Sequence, residues 1–200
     1  MSVLERPLVW EASRVGLDLA FGLYRRRRAV LRSWGLLDGE PSVLDIGCGI
    51  GMYASLTSGQ YVGVDLNRAY IEHARRKRAD ERHSFRCADA TDLIGEGERF
   101  DFVLMVDFLH HLDDRAAVSV LSTARELATG PVVSLEPVTE QTNRLGRWFI
   151  ENDPGEHMRP HAELLALFAH AGLRLQEDAD LKLGPIATRA IRSVAAAPRS

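Results

Sequence analysis

The sequence predicts a single α/β domain in which helices cover both faces of a mostly parallel sheet. Short apolar runs alternate with segments of helical periodicity along most of the 200 residues, a pattern typical of parallel strands with crossover helices. A glycine-rich turn follows the first apolar run, where such sheets bind ligands. The last two apolar segments are joined only by Gly184-Pro185, which is too short for a crossover helix and predicts an antiparallel hairpin.

Helical periodicity comes first along the chain. Between Trp10 and Trp34 apolar residues recur at helical intervals without a proline, which predicts an amphipathic helix that Gly16 or Gly22 can break. This helical cap occupies residues 1–38. The apolar runs that follow predict five strands: Val43–Ile46, Tyr61–Val64, Ser84–Cys87, Phe100–Val106 and Val132–Leu135.

Helices fill the gaps between these strands. Asn67 can cap the helix after the second strand, and Asp113 and Asp114 place negative charge at the start of the helix after the fourth. A further helix begins behind Pro160 and stops at Gly172. The closing hairpin is predicted from residues 173–183 and 186–194.

Composition sets the broad class of the protein. Hydrophobic residues make up 46% and charged residues 26%, with a net charge of −3, which suits a globular domain and gives no global attraction to nucleic acid or membrane. No run reaches the roughly 18 apolar residues of a membrane span, and the N-terminus lacks the apolar stretch of a signal peptide. Cys48 and Cys87 do not form a zinc-type pair. We expect a cytoplasmic monomer or homodimer.

The glycine-rich turn predicts a ligand other than a pyrophosphate. Gly47, Gly49 and Gly51 follow the first strand, but the dinucleotide fingerprint needs its third glycine where this chain has Met52. The Lys-Ser/Thr ending of a phosphate-binding loop is also missing. Asp45 precedes the turn, and its carboxylate would repel a phosphate and attract an ammonium group. These features favour a zwitterionic ligand.

Two further aspartates extend this predicted site. Asp65 ends the second strand, where a carboxylate can accept hydrogen bonds from both hydroxyls of a ribose. Asp89 follows the third strand, where an acceptor could meet an adenine amine, although an ordinary helix cap is the alternative. Ammonium, ribose and amine together describe S-adenosylmethionine.

At this point the chain resembles the class I S-adenosylmethionine-dependent methyltransferases. The resemblance covers about residues 42–135 and is carried by VLDIGCGIG, YVGVDLN, FRCADATDL and FDFVLMVDFLHHLDD, with a His-His-Leu turn after the fourth strand. It implies a doubly wound, Rossmann-like sheet of seven strands, with residues 42–136 as the cofactor-binding half. Leu-Ala-Thr-Gly-Pro at 127–131 departs from the family's usual proline-glycine-glycine turn.

The resemblance also implies which residues contact the cofactor. Asp107, at the end of the fourth strand, is a candidate for a cofactor or substrate contact. The other implied cofactor residues are Asp45, Gly47, Cys48, Gly49 and Gly51 at the methionine end, Asp65 and Leu66 at the ribose, and Asp89 and Ala90 at the adenine.

Three histidines are candidate general bases for a hydroxyl acceptor, namely His110, His111 and His157. Because adjacent side chains on a turn point in different directions, at most one of His110 and His111 should reach the active pocket. A nitrogen or activated carbon acceptor would need no base. No metal-binding cluster is visible in the sequence, which argues against a magnesium-dependent catechol type.

Residues 143–161 are longer and richer in aromatic and ionisable side chains than an ordinary loop. In the family this region and the N-terminal helix usually build the substrate lid. We therefore predict that Trp148, His157 and Arg159 contact the acceptor, and we assign residues 137–200 to the substrate side.

These features predict an S-adenosylmethionine-dependent methyltransferase acting on an O, N or C nucleophile of a small molecule. The alternatives are methylation of RNA or protein, and a non-catalytic cofactor-binding subunit. The basic runs at 25–28 and 75–78 lack interleaved aromatics and are offset by acids, so we interpret them as solvated helix faces and expect no nucleic-acid partner.

Overall fold

A computed structural model describes residues 16, 21–141, 143–183 and 185–197. Within them, seven strands form one sheet. In chain order the strands are β1 (Val43–Ile46), β2 (Tyr61–Asp65), β3 (His83–Cys87), β4 (Phe102–Val106), β5 (Val132–Pro137), β6 (Leu173–Leu183) and β7 (Ile186–Ala195).

The sheet has the order β3-β2-β1-β4-β5-β7-β6. The first five strands pair in parallel, whereas β7 is antiparallel to both β5 and β6. The seven-stranded, doubly wound sheet and its antiparallel C-terminal hairpin are therefore confirmed. Strand order reverses direction between β1 and β4, and the crevice beyond their carboxyl ends is where open α/β sheets bind ligands.

Helices cover both faces of this sheet. They are α1 (Leu23–Ser33), α2 (Arg68–Arg78), α3 (Asp114–Leu127), α4 (Arg144–Glu151) and α5 (His161–His170). Leu31 of α1 and Ile71 of α2 belong to one buried cluster, whereas Leu121 of α3 and Phe168 of α5 belong to the other. The core thus lies in two layers, one on each side of the buried strands.

The predicted starts of α2 and α3 are confirmed. The Asn67 side chain accepts hydrogen bonds from the Ala69 and Tyr70 amides at the start of α2, and Asp113 accepts one from Ala116 at the start of α3. Gly22 has φ +64° directly before α1, a left-handed conformation that glycine adopts without strain. The predicted break at Gly22 is confirmed, and the earlier part of that helix lies outside the described residues except for residues 16 and 21.

Two local expectations are corrected. The fourth strand begins at Phe102, because Phe100 makes only an isolated bridge to Ala128. The segment predicted as a long loop after β5 contains α4, whose first turn is capped by Asn143 through the Gly146 amide. Over the residues that the structure describes, no helix combines the length and apolar character needed to cross a bilayer.

Candidate active site

A cavity of about 710 Å³ lies at the carboxyl ends of the central strands. Its size falls within the range of small-molecule sites in proteins. The strand ends and their turns contribute Asp45, Gly47, Cys48, Gly49, Asp65, Asn67, Val106, Asp107, Phe108, His110, His111 and Pro137. The lining also includes Phe21, Leu23, Tyr24, Arg27, Tyr53, Phe149, Ile150, Asp153, Pro154, Ile186 and Thr188.

The glycine turn presents main chain to this cavity. Gly47, Gly49 and Gly51 have φ angles of +73°, +54° and +75°, which side chains disfavour. The amides of Gly47 and Cys48 donate to the Val64 carbonyl at 2.9 and 3.0 Å and tie the turn to β2. Gly47 and Gly49 line the cavity, whereas a Cβ on Gly51 would lie 2.4 Å from the Phe85 ring, so that glycine is required by packing.

Asp65 holds the turn and faces the cavity. Its Oδ2 accepts a hydrogen bond from the Gly49 amide and its Oδ1 one from the Asn67 amide, both at 2.8 Å. Burial raises the pKa of Asp65, and these two amides counteract the rise. Each carboxylate oxygen has two lone pairs, so the group can still accept hydrogen bonds from ligand hydroxyls.

Asp45 lies beneath the turn and is 1% exposed. The Tyr61 hydroxyl donates to its Oδ2 at 2.5 Å. Burial raises the pKa of Asp45 to about 7, although the Tyr61 hydrogen bond opposes the shift. The carboxyl is therefore charged only at neutral pH and above, and it can then attract a ligand ammonium group.

This pKa predicts a pH-dependent affinity for S-adenosylmethionine. Below pH 7 the Asp45 carboxyl is increasingly protonated, so the attraction for an ammonium group is lost as pH falls from 8 to 6. We expect the dissociation constant to rise by up to about tenfold over that range. The measurement is a calorimetric titration at each pH. The Asp45→Asn variant corrects for titration of the cofactor itself, and equal pH dependence in both proteins would contradict the prediction.

Arg27 reaches across the cavity from α1 to the end of β4. Its guanidinium donates to both carboxylate oxygens of Asp107, at 2.9 and 2.6 Å, and to the Tyr53 hydroxyl at 3.0 Å. The side chain is 3% exposed. Although burial works against the charge, the Asp107 carboxylate raises the pKa of Arg27. Asp107 thus anchors the helical cap, and its φ of +51° shows that its backbone is held in an uncommon conformation.

His110 is buried between two carboxylates. Its Nδ1 lies 2.8 Å from Glu136 Oε2 and its Nε2 lies 3.4 Å from Asp153 Oδ1. Glu136 also accepts the amides of Phe108 and Leu109, each at 3.0 Å. Burial disfavours the charged imidazole, but Asp153 and Glu136 outweigh it and raise the pKa of His110 to about 10.

The neighbouring His111 is exposed at the cavity, and its ring centroid lies 4.2 Å from that of His110. Partial desolvation and the charge of His110 lower its pKa. The ligand atoms of His110, His111 and Asp153 all lie within 4.8 Å of one another. The sequence did not reveal this grouping, because Asp153 comes from a different segment of the chain.

Several residues that were predicted to contact the cofactor are not among the described residues that line the cavity. Asp89 is exposed, and its Oδ1 accepts the Thr91 amide and hydroxyl at 2.8 and 2.7 Å, which is the capping arrangement considered as the alternative. Ala90 is buried in the core beneath it, and Leu66 is 73% exposed beside Asp65. Their roles toward a cofactor stay predictions.

The predicted acceptor residues also lie elsewhere. Trp148 is 54% exposed and packs edge-on against Phe149, whereas Phe149 and the next residue, Ile150, face the cavity. His157 donates its backbone amide to the His110 carbonyl. None of the three predicted acceptor residues is among the described residues that line the cavity.

The guanidinium of Arg159 binds groups of the protein itself and does not face the cavity. Its buried guanidinium donates to the carbonyls of Leu109, Leu112 and His157 and to the Asp114 carboxylate. The sequence predicts that Arg159 contacts the acceptor. In the structure, Arg159 instead fastens the segment after α4 to the turn after β4.

Sequence reasoning missed four residues that shape the site, namely Arg27, Tyr53, Glu136 and Asp153. Glu136 had a usable signal, since it ends β5 at the same sheet edge as Asp107. Arg27 sits in a run of four arginines, and nothing in that run distinguishes the buried member from the others.

The site fits the parts of S-adenosylmethionine. The backbone of Gly47 and Gly49 lines the cavity, Asp65 presents carboxylate lone pairs, and buried Asp45 offers negative charge at neutral pH. An aromatic wall of Phe21, Tyr24 and Phe149 and the two histidines line the same cavity.

Comparison with known proteins gives a consistent result. Residues 43–129 match the methyltransferase domain family. Erythromycin 3''-O-methyltransferase of Saccharopolyspora erythraea is 30% identical over 116 residues, which are 51% of this chain and 38% of that protein. Ubiquinone biosynthesis O-methyltransferase of Chelativorans sp. is 27% identical over 168 residues, 76% of this chain and 66% of that protein. The chain thus spans less than two thirds of the length of each relative.

The fold is shared with a solved structure. Magnesium protoporphyrin IX methyltransferase from Synechocystis PCC 6803, with bound SAH, superposes with a TM-score of 0.66 at 19% identity and covers 87% of this chain and 85% of that one. The matched segment contains the glycine turn, Asp45 and Asp65. Residues 43–129 therefore match the methyltransferase domain family, and the fold around them is shared with a solved methyltransferase that holds bound SAH.

Proposed function

We propose that this chain methylates a hydroxyl oxygen of a small-molecule acceptor, with S-adenosylmethionine as the methyl donor. The observation that carries the proposal is one continuous cavity, which joins the glycine turn and Asp65 to an aromatic wall and two histidines. Both relatives described above are O-methyltransferases by name, which supports oxygen over nitrogen or carbon as the acceptor atom.

The chain's own groups account for cofactor binding. Asp65 would accept the ribose hydroxyls, Asp45 would face the ammonium group, and the turn at Gly47 and Gly49 would lie against the methionine portion. When bound, S-adenosylmethionine supplies an electrophilic methyl group on its sulfonium. The protein's task is then to orient the acceptor and exclude water.

The rest of the cavity is suited to an apolar acceptor that carries a hydroxyl. Phe21, Tyr24, Phe149 and Ile150 provide an apolar wall with aromatic faces against which a ring can pack. His110, His111 and Asp153 form a polar corner in the same cavity, to which we assign removal of the hydroxyl proton. His157 lies outside the lining and is not needed for this step.

The proposal is tested by the release of S-adenosylhomocysteine in the presence of phenols and alcohols, of amines of matched ring size, and of bulk RNA and protein. We expect turnover with small hydroxyl compounds and mass-spectrometric detection of the methyl ether. Methylation of RNA or protein alone would contradict the small-molecule assignment. Cofactor binding without turnover on any acceptor class would favour the non-catalytic alternative.

The helix face of α4 gives a test of where the acceptor lies. We expect Phe149→Ala to raise the acceptor Michaelis constant by about tenfold, because loss of ring contact costs roughly 1–2 kcal/mol. Trp148→Ala removes the neighbouring ring on the exposed face and is the matched control, with a change below about threefold. Acceptor kinetics and cofactor affinity are measured on both, and a larger effect for Trp148→Ala would place the acceptor outside the cavity.

A further inference from the structure

The polar corner of the cavity brings together three side chains of metal-binding type. His110 and His111 come from the turn after β4, and Asp153 comes from the residues after α4. One ligand atom from each lies within 4.8 Å of the others, and all three residues line the cavity. Two imidazoles and one carboxylate are a common ligand set for catalytic zinc and for related transition-metal ions.

The spacing of the two inner ligand atoms suits a bound ion. His110 Nε2 and Asp153 Oδ1 are 3.4 Å apart, which is long for a charge-assisted hydrogen bond of about 2.7–2.9 Å. Two ligands that are each about 2.1 Å from one ion, at a tetrahedral angle, lie about 3.4 Å from each other. The His111 ligand atom must move closer by at most about 1.4 Å to complete a tetrahedral arrangement, and its ring is the exposed member of the three.

An outer shell already orients these ligands. Glu136 Oε2 lies 2.8 Å from His110 Nδ1, so a hydrogen on Nδ1 would be donated to Glu136 and Nε2 would be left to face Asp153. Glu136 is itself fixed by the amides of Phe108 and Leu109. Asp153 Oδ1 accepts the Gly155 amide at 2.8 Å. A carboxylate behind a histidine is the usual support of a metal-ligating imidazole.

We propose that His110, His111 and Asp153 bind one divalent transition-metal ion of the zinc class. The ion would replace a proton on His110 Nε2 and would offset the negative charge of Asp153. Its open coordination positions would face the cavity. If the proposed function holds, an acceptor hydroxyl bound there would lose its proton more readily, because a metal ion lowers the pKa of a coordinated hydroxyl.

The test uses Co²⁺ as a spectroscopic probe on the full, chelator-treated chain without cofactor or acceptor. We expect one Co²⁺ per chain with visible d–d absorption, and at least tenfold weaker binding in His111→Ala and Asp153→Asn. His170→Ala is the matched control, because His170 is exposed at the end of α5, and it should bind Co²⁺ like the wild type. Circular dichroism checks that each variant is folded, and the exposed position of His111 makes its variant the safer one.

Absence of saturable Co²⁺ binding by the folded wild type, or equal affinity in His111→Ala, would overturn the metal site. Because binding is measured without turnover, the two proposals can fail separately. A chain that binds Co²⁺ through these residues without methylating hydroxyls supports the site and contradicts the function. A chain that methylates hydroxyls without binding Co²⁺ overturns the metal site alone.

Discussion

Gly49→Val is expected to reduce the affinity for S-adenosylmethionine by at least about a hundredfold. Gly49 lines the cavity with φ +54°, and its amide donates to Asp65. A β-branched side chain disfavours that conformation and would also project from the turn on which the cofactor must lie. The backbone strain and the projecting side chain would both disturb the glycine turn. The affinity is measured by calorimetry, with circular dichroism as the check on folding.

Gly97→Val is the matched control for this substitution. Gly97 has φ +71°, yet a Cβ there has no other atom within 4 Å, and the residue is not among the described lining of the cavity. It therefore carries similar backbone strain without the ligand contact. We expect Gly97→Val to lower stability and keep cofactor affinity. Near-native affinity in a folded Gly49→Val protein would show that the ligand binds elsewhere.

Arg27→Ala is expected to lower the free energy of unfolding by about 3–5 kcal/mol, the usual cost of removing one partner from a buried ion pair. The substitution removes both hydrogen bonds to Asp107 and the one to Tyr53, and the Asp107 side chain is only 17% exposed in the intact protein. It should also release the helical cap from the end of β4. Urea denaturation of the variant and the wild type measures the effect.

Two variants control for this result. Arg32→Ala removes an exposed arginine from the last turn of the same helix and should change stability by less than about 0.5 kcal/mol. The double variant Arg27→Ala/Asp107→Asn should recover part of the loss, because it also removes the buried negative charge that Arg27 offsets. A loss below about 1 kcal/mol in Arg27→Ala would mean that the pair contributes no more than a surface salt bridge.

Much of the fold could be predicted because its determinants are local. The buried parallel strands are continuous apolar runs, the caps at Asn67 and Asp113 precede their helices, and the short Gly184-Pro185 connection restricts the last two strands to a hairpin. The predicted cofactor residues beside the glycine turn are also specified by the local sequence. Asp45 lies in the last half of β1 and Asp65 ends β2, so the parallel sheet brings both toward one edge.

The part of the cavity to which we assign the acceptor could not be predicted in this way, because it depends on contacts between distant segments. The environment of His110 requires Glu136 from β5 and Asp153 from the segment after α4. On α4 itself, the sequence indicated that an aromatic contributes, but the helix phase places Phe149 and not Trp148 at the cavity. The helix packs against β7, so which of its aromatics faces the cavity depends on contact with a distant segment of the chain.

The most direct test of the account is a calorimetric titration of the wild type and Asp65→Ala with S-adenosylmethionine. We predict one site in the wild type and binding weakened by about thirtyfold or more in the variant, which corresponds to about 2 kcal/mol for lost charge-assisted hydrogen bonds. Melting curves establish that Asp65→Ala is folded. Equal affinity in the two folded proteins, or no binding to the wild type, would contradict the assignment of this cavity as the cofactor site.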